Sequence, residues 1–280
     1  MVANASIPYP YEGACSVYAN YGRYNASDFQ GGIKAKELFT SNIDNYVNYG
    51  ITVQDEDHRD QWGNDKSSVP TLTITEGNYR GEKALGLRGF PVAKNHSSIN
   101  PKEPNPFIGG FWAAYYEALP ADLSGATHVQ IKVFPRTKTT LIIELYDYDG
   151  KESARAMASD NWCTPDKLKG LKTIDKQKHN FCLPVSDDEF KVVLHLNPTG
   201  KWQTLNIPVK YFVDWNKKQA ECKEDIPGIN QDIGNGKFDP RKGEAFVIQY
   251  SLVAQSWDYN LNEIYVGREI KFLKTLPDRK

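Results

Sequence analysis

Residues 126–150, ATHVQIKVFPRTKTTLIIELYDYDG, constrain the fold of this chain more than any other stretch. In the first arm Val129, Ile131 and Val133 alternate with His128, Gln130 and Lys132. In the second, Leu141, Ile143 and Leu145 alternate with Glu144, Tyr146 and Tyr148. A period of two marks strands with one buried face. Between the arms Pro135 removes a backbone donor, and Arg136, Thr137 and Lys138 make a connection of hairpin length. The expected unit is an antiparallel hairpin, apolar on one side and polar with aromatics on the other. Its apolar side needs a second layer, which predicts an all-β fold, a β-sandwich of jelly-roll type. On the other side, Glu144, Tyr146 and Tyr148 are expected beside Gln130 and Lys132, and a ligand would meet the sheet there.

Similar signals recur along the chain. Residues 71–75, 83–88, 111–118, 190–196, 201–208, 245–254 and 263–273 all read as strands, separated by turns rich in Gly, Pro and Asn. Residues 1–66 are rich in Tyr, Asn, Gly and Asp and are expected to be irregular, with one short helical turn near residues 33–39, wrapping a sandwich formed by residues 67–273. A charged tail, residues 274–280, follows. No repeat and no biased linker divides the 280 residues, so one domain is expected.

Charge and hydropathy exclude some classes of partner. A net charge of −1 argues against a nucleic-acid binder, which carries a basic surplus. No apolar run approaches the ~20 residues of a membrane span. The polar opening MVANASIPYPYEG is unlike a signal peptide and suits an already processed export product, secreted, periplasmic or at the cell surface. The four cysteines, Cys15, Cys163, Cys182 and Cys222, form no CxxC pair, which disfavours zinc. Cys163 and Cys182 bracket a lysine-rich loop that a bridge would tie down. That disulfide is expected first and Cys15–Cys222 second, with four buried thiols as the alternative.

Nucleophilic catalysis finds no GxSxG, and the five histidines show no partner spacing. Glycosidic cleavage by two carboxylates leaves no local signature, and Glu144, Asp147 and Asp149 are its candidates. Alternation, however, puts Asp147 on the opposite side from Glu144. The loop at residues 226–244 carries Asn230, Asp232, Asn235, Asp239 and Glu244, oxygen donors of the kind calcium takes, but it fails the EF-hand spacing and reads better as a Gly/Asn turn. Sugar recognition fits the residue types best. A pyranose needs a flat aromatic platform for its C–H face and amides, carboxylates or cations for its hydroxyls. Tyr146, Tyr148, Glu144, Gln130, Lys132 and His195 supply both kinds, and Trp62, within the polar DEDHRDQWGND, is an expected exposed platform.

Several phrases carry a family resemblance. They are NASDFQGG from Asn25, the stretch from Ile74 to Leu87, DLSG from Asp122 followed by THVQIKVF, GKWQTLNIP from Gly200 with Tyr211 and Phe212, and LNEIYV from Leu261. In this order, over most of the chain from Asp28 onward, they resemble carbohydrate-binding modules of family 11 and its relatives in families 4 and 30, within the galactose-binding-like superfamily. The resemblance implies a β-jelly-roll that binds β-glucan on a concave sheet face and holds a structural calcium joining its first and last strands. Asp28 and Asn262 fall near that calcium position. An Asn replaces the usual Asp there, and Gln30 the usual Glu, which lowers the charge on offer.

The expected function is non-catalytic binding of a polysaccharide, a β-glucan or hemicellulose, within a polysaccharide-degrading system or a larger glycan-degrading enzyme. Tyr146, Tyr148 and Trp62 would stack on sugars, while Glu144, Gln130, Lys132 and His195 would bond hydroxyls. A jelly-roll glycoside hydrolase or polysaccharide lyase using Glu144 is the alternative, and an adhesion or structural sandwich the third reading.

Overall fold

The computed structural model describes residues 23–43, 47–50, 52–53, 69–70, 72–89, 107–115, 119–147, 188–214, 235–244, 246–253 and 261–277. The strands, in chain order, are β1 (Arg23–Asn25), β2 (Ala35–Asn42), β3 (Val47–Gly50), β4 (Thr52–Val53), β5 (Val69–Pro70), β6 (Leu72–Tyr79), β7 (Glu82–Gly89) and β8 (Phe107–Tyr115). They continue as β9 (His128–Pro135), β10 (Thr139–Asp147), β11 (Asp188–Leu196), β12 (Gln203–Pro208), β13 (Val213–Asp214), β14 (Phe246–Val253), β15 (Asn262–Gly267) and β16 (Glu269–Thr275). Among the described residues no helix is long and apolar enough to cross a membrane.

Two seven-stranded sheets form the sandwich. The first runs β1-β11-β10-β14-β8-β3, with β13 also on β11; the second runs β2-β16-β9-β15-β7-β6, with β12 also on β9. Among the described residues, 3-10 turns at Ala26–Phe29 and Val209–Tyr211 interrupt the strands. The helical turn expected near residues 33–39 is instead β2, which pairs antiparallel with β16 through contacts such as Phe39 to Phe272. Likewise, the segment before residue 66, expected to be irregular, contributes β1 to β4.

The central hairpin is corrected in its pairing, not in its strands. β9 belongs to the second sheet, against β12, β15 and β16, whereas β10 belongs to the first, between β11 and β14. The polar connection crosses between the sheets, because its backbone docks on the start of β15. Arg136 N donates to Glu263 O at 2.9 Å, and Glu263 N donates to Thr137 Oγ1 at 2.9 Å. Both apolar alternations therefore point inward from opposite walls. Val129, Ile131 and Val133 face Leu141, Ile143 and Leu145 across one core, all of them buried. Burial of such side chains contributes roughly 1.5–3 kcal/mol each.

Aromatic contacts join the two layers. Phe272 of the second sheet meets Phe246 of the first edge-on at 5.6 Å between ring centroids and stacks on Phe238 at 6.2 Å. Phe238 lies in the loop at residues 235–244, the described part of the oxygen-donor stretch 226–244. There Asn235 N and Gly236 N donate to the carboxylate of Asp188 at 3.0 and 3.1 Å, and Asp239 N donates to Asp147 Oδ2 at 2.8 Å. Asp147 and Asp188 oppose each other across β10 and β11 and are fully buried. Asn235 Oδ1 accepts from Lys237 N at 2.7 Å and Glu244 Oε2 from Arg241 N at 2.8 Å, which is turn chemistry. Asn230 and Asp232 lie outside the described residues.

Candidate functional site

On the first sheet, alternation turns Thr140, Ile142, Glu144 and Tyr146 away from the core. Register then sets Lys191 and Gln249 on either side of Glu144, Val193 and Ser251 on either side of Ile142, and His195 beside Thr140. The outer face thus acquires a polar centre from three strands. Glu144 Oε2 accepts from the Tyr146 hydroxyl at 2.7 Å and from Gln249 Nε2 at 3.1 Å, and it lies 3.2 Å from Lys191 Nζ. Its other oxygen accepts from Ser251 Oγ at 3.4 Å. Glu144 is 3% exposed, and Lys191 and His195 are 8% exposed each. Tyr146 and Gln249 are half-buried, whereas Thr140, Ile142, Val193 and Ser251 on the same face are buried.

His195 anchors one end of this face, with Nδ1 3.2 Å from Thr140 Oγ1. Burial first, and then the positive charges of Arg23 and Lys138, lower its pKa from 6.5 to about 4. The folded state thus holds a neutral imidazole at pH 7. Because the unfolded chain takes up a proton near 6.5 and the folded chain only near 4, stability falls as pH drops through this window. The expected loss from His195 is about 2 kcal/mol between pH 7 and pH 5. Urea unfolding at both pH values in wild type and His195→Gln checks this: the variant should lose less on acidification, and equal losses would refute it.

Gln130 and Lys132 do not join this face. Both project from β9 on the outer side of the second sheet. Lys132 Nζ pairs with Glu82 Oε1 at 2.5 Å, a half-exposed contact of the kind worth little, and Gln130 Nε2 donates to Asn206 Oδ1 at 2.7 Å. The expected cluster is therefore split between opposite sides of the molecule: Glu144, Tyr146 and His195 on one, Gln130 and Lys132 on the other. Tyr148 and Trp62 lie outside the described residues, as do Cys15, Cys163, Cys182 and Cys222. Lys191 and Ser251 were missed as candidates. The alternation of Lys191 with Val192 was legible, but nothing local announces that β11 lies beside β10.

Asp28 and Asn262 do not fit a shared calcium. Asp28 is exposed on the turn before Gln30, which bridges Leu205 at the edge of β12. Asn262, 4% exposed, opens β15 beside Gly89, with β12 and β9 standing between the two positions. Among the described residues no group of three His, Cys, Asp or Glu side chains is placed to hold a metal ion.

No family model matches this chain, and no curated protein matches it. Among solved structures, the family 11 carbohydrate-binding module of the cellulosomal cellulase Lic26A-Cel5E of Clostridium thermocellum aligns with 89% of this chain and 100% of its own, at 10% identity and a TM-score of 0.41. The family 30 module of the cellulosomal cellulase Cel9D-Cel44B of the same organism aligns with 86% of this chain and 100% of its own, at 13% identity and a TM-score of 0.36. An agarase, AgWH50C, aligns with 76% of this chain and 25% of its own, at 10% identity and a TM-score of 0.33. Families 11 and 30 are among those the sequence phrases resemble; at such identities no residue role transfers.

Proposed function

We propose that this protein is a non-catalytic polysaccharide-binding β-sandwich that takes a β-glucan or hemicellulose chain on the outer face of the first sheet, outside the cell or in the periplasm. The observation that carries this reading is the carboxylate of Glu144, engaged by four side chains on the side of the first sheet turned away from the core. A buried ion pair adds little stability over apolar residues of similar size, so a wall that needed only to be covered would do without one. What the pair does is hold the half-buried Tyr146 ring and Gln249 amide in fixed positions. A ring beside an oriented amide suits the apolar face and hydroxyl rim of a pyranose. Glu144 is then the anchor beneath the site, and the sugar meets Tyr146 and Gln249. Tyr148 and Trp62 enter this reading as sequence-based candidates for further platforms.

Affinity electrophoresis in gels containing soluble mixed-linkage β-glucan or xylan tests it. The wild-type chain should be retarded without releasing reducing ends or unsaturated products. Tyr146→Ala should weaken retardation about tenfold, the order of a lost aromatic anchor, and Tyr146→Phe, which keeps the ring, should weaken it far less. Release of products would replace binding by cleavage. Equal retardation of the Ala variant would move the site off this face.

A further inference from the structure

A second recess opens on the other side of the sandwich, where residues 30–33 run along the edge of β12. It has a volume of about 470 Å³, within the range of small-molecule sites. One bridge, Gln30 to Leu205, and one side-chain bond, from Asn206 Nδ2 to Gly31 O at 2.6 Å, hold this wall in place. At Gly31 and Gly32 the wall is bare backbone, and a Cβ built on either would meet no atom within 4 Å.

The amides here form two layers. The inner pair, Gln203 and Asn206, is buried and bonded through both the oxygen and the nitrogen of each amide. Gln203 accepts from Gln30 Nε2 at 2.6 Å and donates to Asn197 O and Thr199 Oγ1, both at 3.2 Å. Asn206 accepts from Gln130 Nε2 at 2.7 Å while it donates to Gly31. The outer pair, Gln30 and Gln130, gives one N–H each to this inner layer. Each keeps a second N–H and both lone pairs of its carbonyl oxygen. Two side chains are thereby oriented from beneath, with donors and acceptors left over.

One end of the recess is Trp202. Its indole N–H donates to Tyr79 O at 3.2 Å, and its ring packs edge-on against Phe134 at 5.7 Å. The ring is fixed and half-buried, a platform rather than a mobile side chain. Among the described residues no carboxylate lines the recess, and the one cation there, Lys201, is exposed. Oriented amides that both donate and accept, next to a fixed indole and with no anionic group among the described lining residues, match a neutral ligand rich in hydroxyls.

We propose that this recess is a second saccharide-binding site, taking a short segment of neutral oligosaccharide between Trp202 and the Gln30–Gln130 amides. It stands on the recess alone and does not require the first-sheet face to bind anything.

Nitrogen-15 NMR of the full chain tests it, with cellotetraose, xylotetraose and laminaritetraose as probes and glycerol as the control polyol. The reporters are the Trp202 indole N–H, assigned by its loss in Trp202→Phe, and the side-chain amides of Gln30 and Gln130. At least one tetrasaccharide should shift them saturably and glycerol should not. Gly32→Arg and Thr204→Arg, two exposed changes that put a long side chain into the recess, should each weaken the response about tenfold or more. Tyr146→Ala should leave it intact, which separates failure here from failure of the first face. Silence with all three tetrasaccharides, an equal response to glycerol, or shifts that persist in both arginine variants would overturn the proposal.

Discussion

Replacing Glu144 with alanine is expected to destabilise the fold by about 3–5 kcal/mol, the usual result of taking one partner from a buried ion pair. The carboxylate lies 3.2 Å from Lys191 Nζ, with side chains 5% and 10% exposed respectively. Its removal also takes the acceptor from the Tyr146 hydroxyl and the Gln249 amide, which then need other partners or water. The companion experiment is the double variant Glu144→Leu with Lys191→Met. Because desolvating two charges offsets most of their attraction, this apolar pair should restore stability to within about 1–2 kcal/mol of wild type, or exceed it. It should not restore retardation by polysaccharide, since Tyr146 and Gln249 lose their orientation. Urea unfolding with affinity electrophoresis on the same preparations separates the two effects. A cost below about 1 kcal/mol for Glu144→Ala would mean that the carboxylate does not organise this face. Full binding by the double variant would detach the ion pair from recognition.

Glu144 also illustrates what could be read from the chain and what could not. Its direction, away from the core, follows from its place between Ile143 and Leu145, and the same alternation correctly sorted Val129, Ile131 and Val133 inward. Its burial does not follow, because that depends on Lys191 and Gln249 arriving alongside from strands 47 and 105 positions later. Strand neighbours are chosen by long-range packing, to which local pattern is blind. For the same reason a hairpin was expected where the chain crosses between sheets. PRTK is short and polar enough for either route, and the contacts with Glu263 on β15 decide between them. Residues 33–39 erred in another direction. The run KAKELF consists largely of good helix formers, and pairing with β16 overrides that preference. The second-sheet recess was illegible as a unit: Gln30 and Gln203, 173 positions apart, meet only after folding.

Gly110→Ala is expected to cost about 3 kcal/mol or more, at the top of the range for overpacking. Gly110 lies in β8 opposite Ser251 of β14, where the two backbones approach so closely that a Cβ would come within 1.7 Å of Tyr250 O and 2.9 Å of Ser251 Cα. Both obstacles are main chain, so no rotamer change relieves them and the strands must part. Gly32→Ala, with no atom within 4 Å of its added carbon, is the matched control and should stay within about 0.5 kcal/mol of wild type. The displacement has a direction. β14 carries Gln249 and Ser251, half of the support around Glu144, whereas the recess walled by Gln30 and Trp202 belongs to the other sheet. Where enough folded Gly110→Ala remains to titrate, retardation by polysaccharide should fall while the Trp202 indole still responds to its tetrasaccharide. Urea midpoints and the two binding readouts together decide it. A loss below about 1 kcal/mol would show that β8 and β14 can separate without penalty, and parallel loss of both responses would show that the two outer faces are coupled through the core they share.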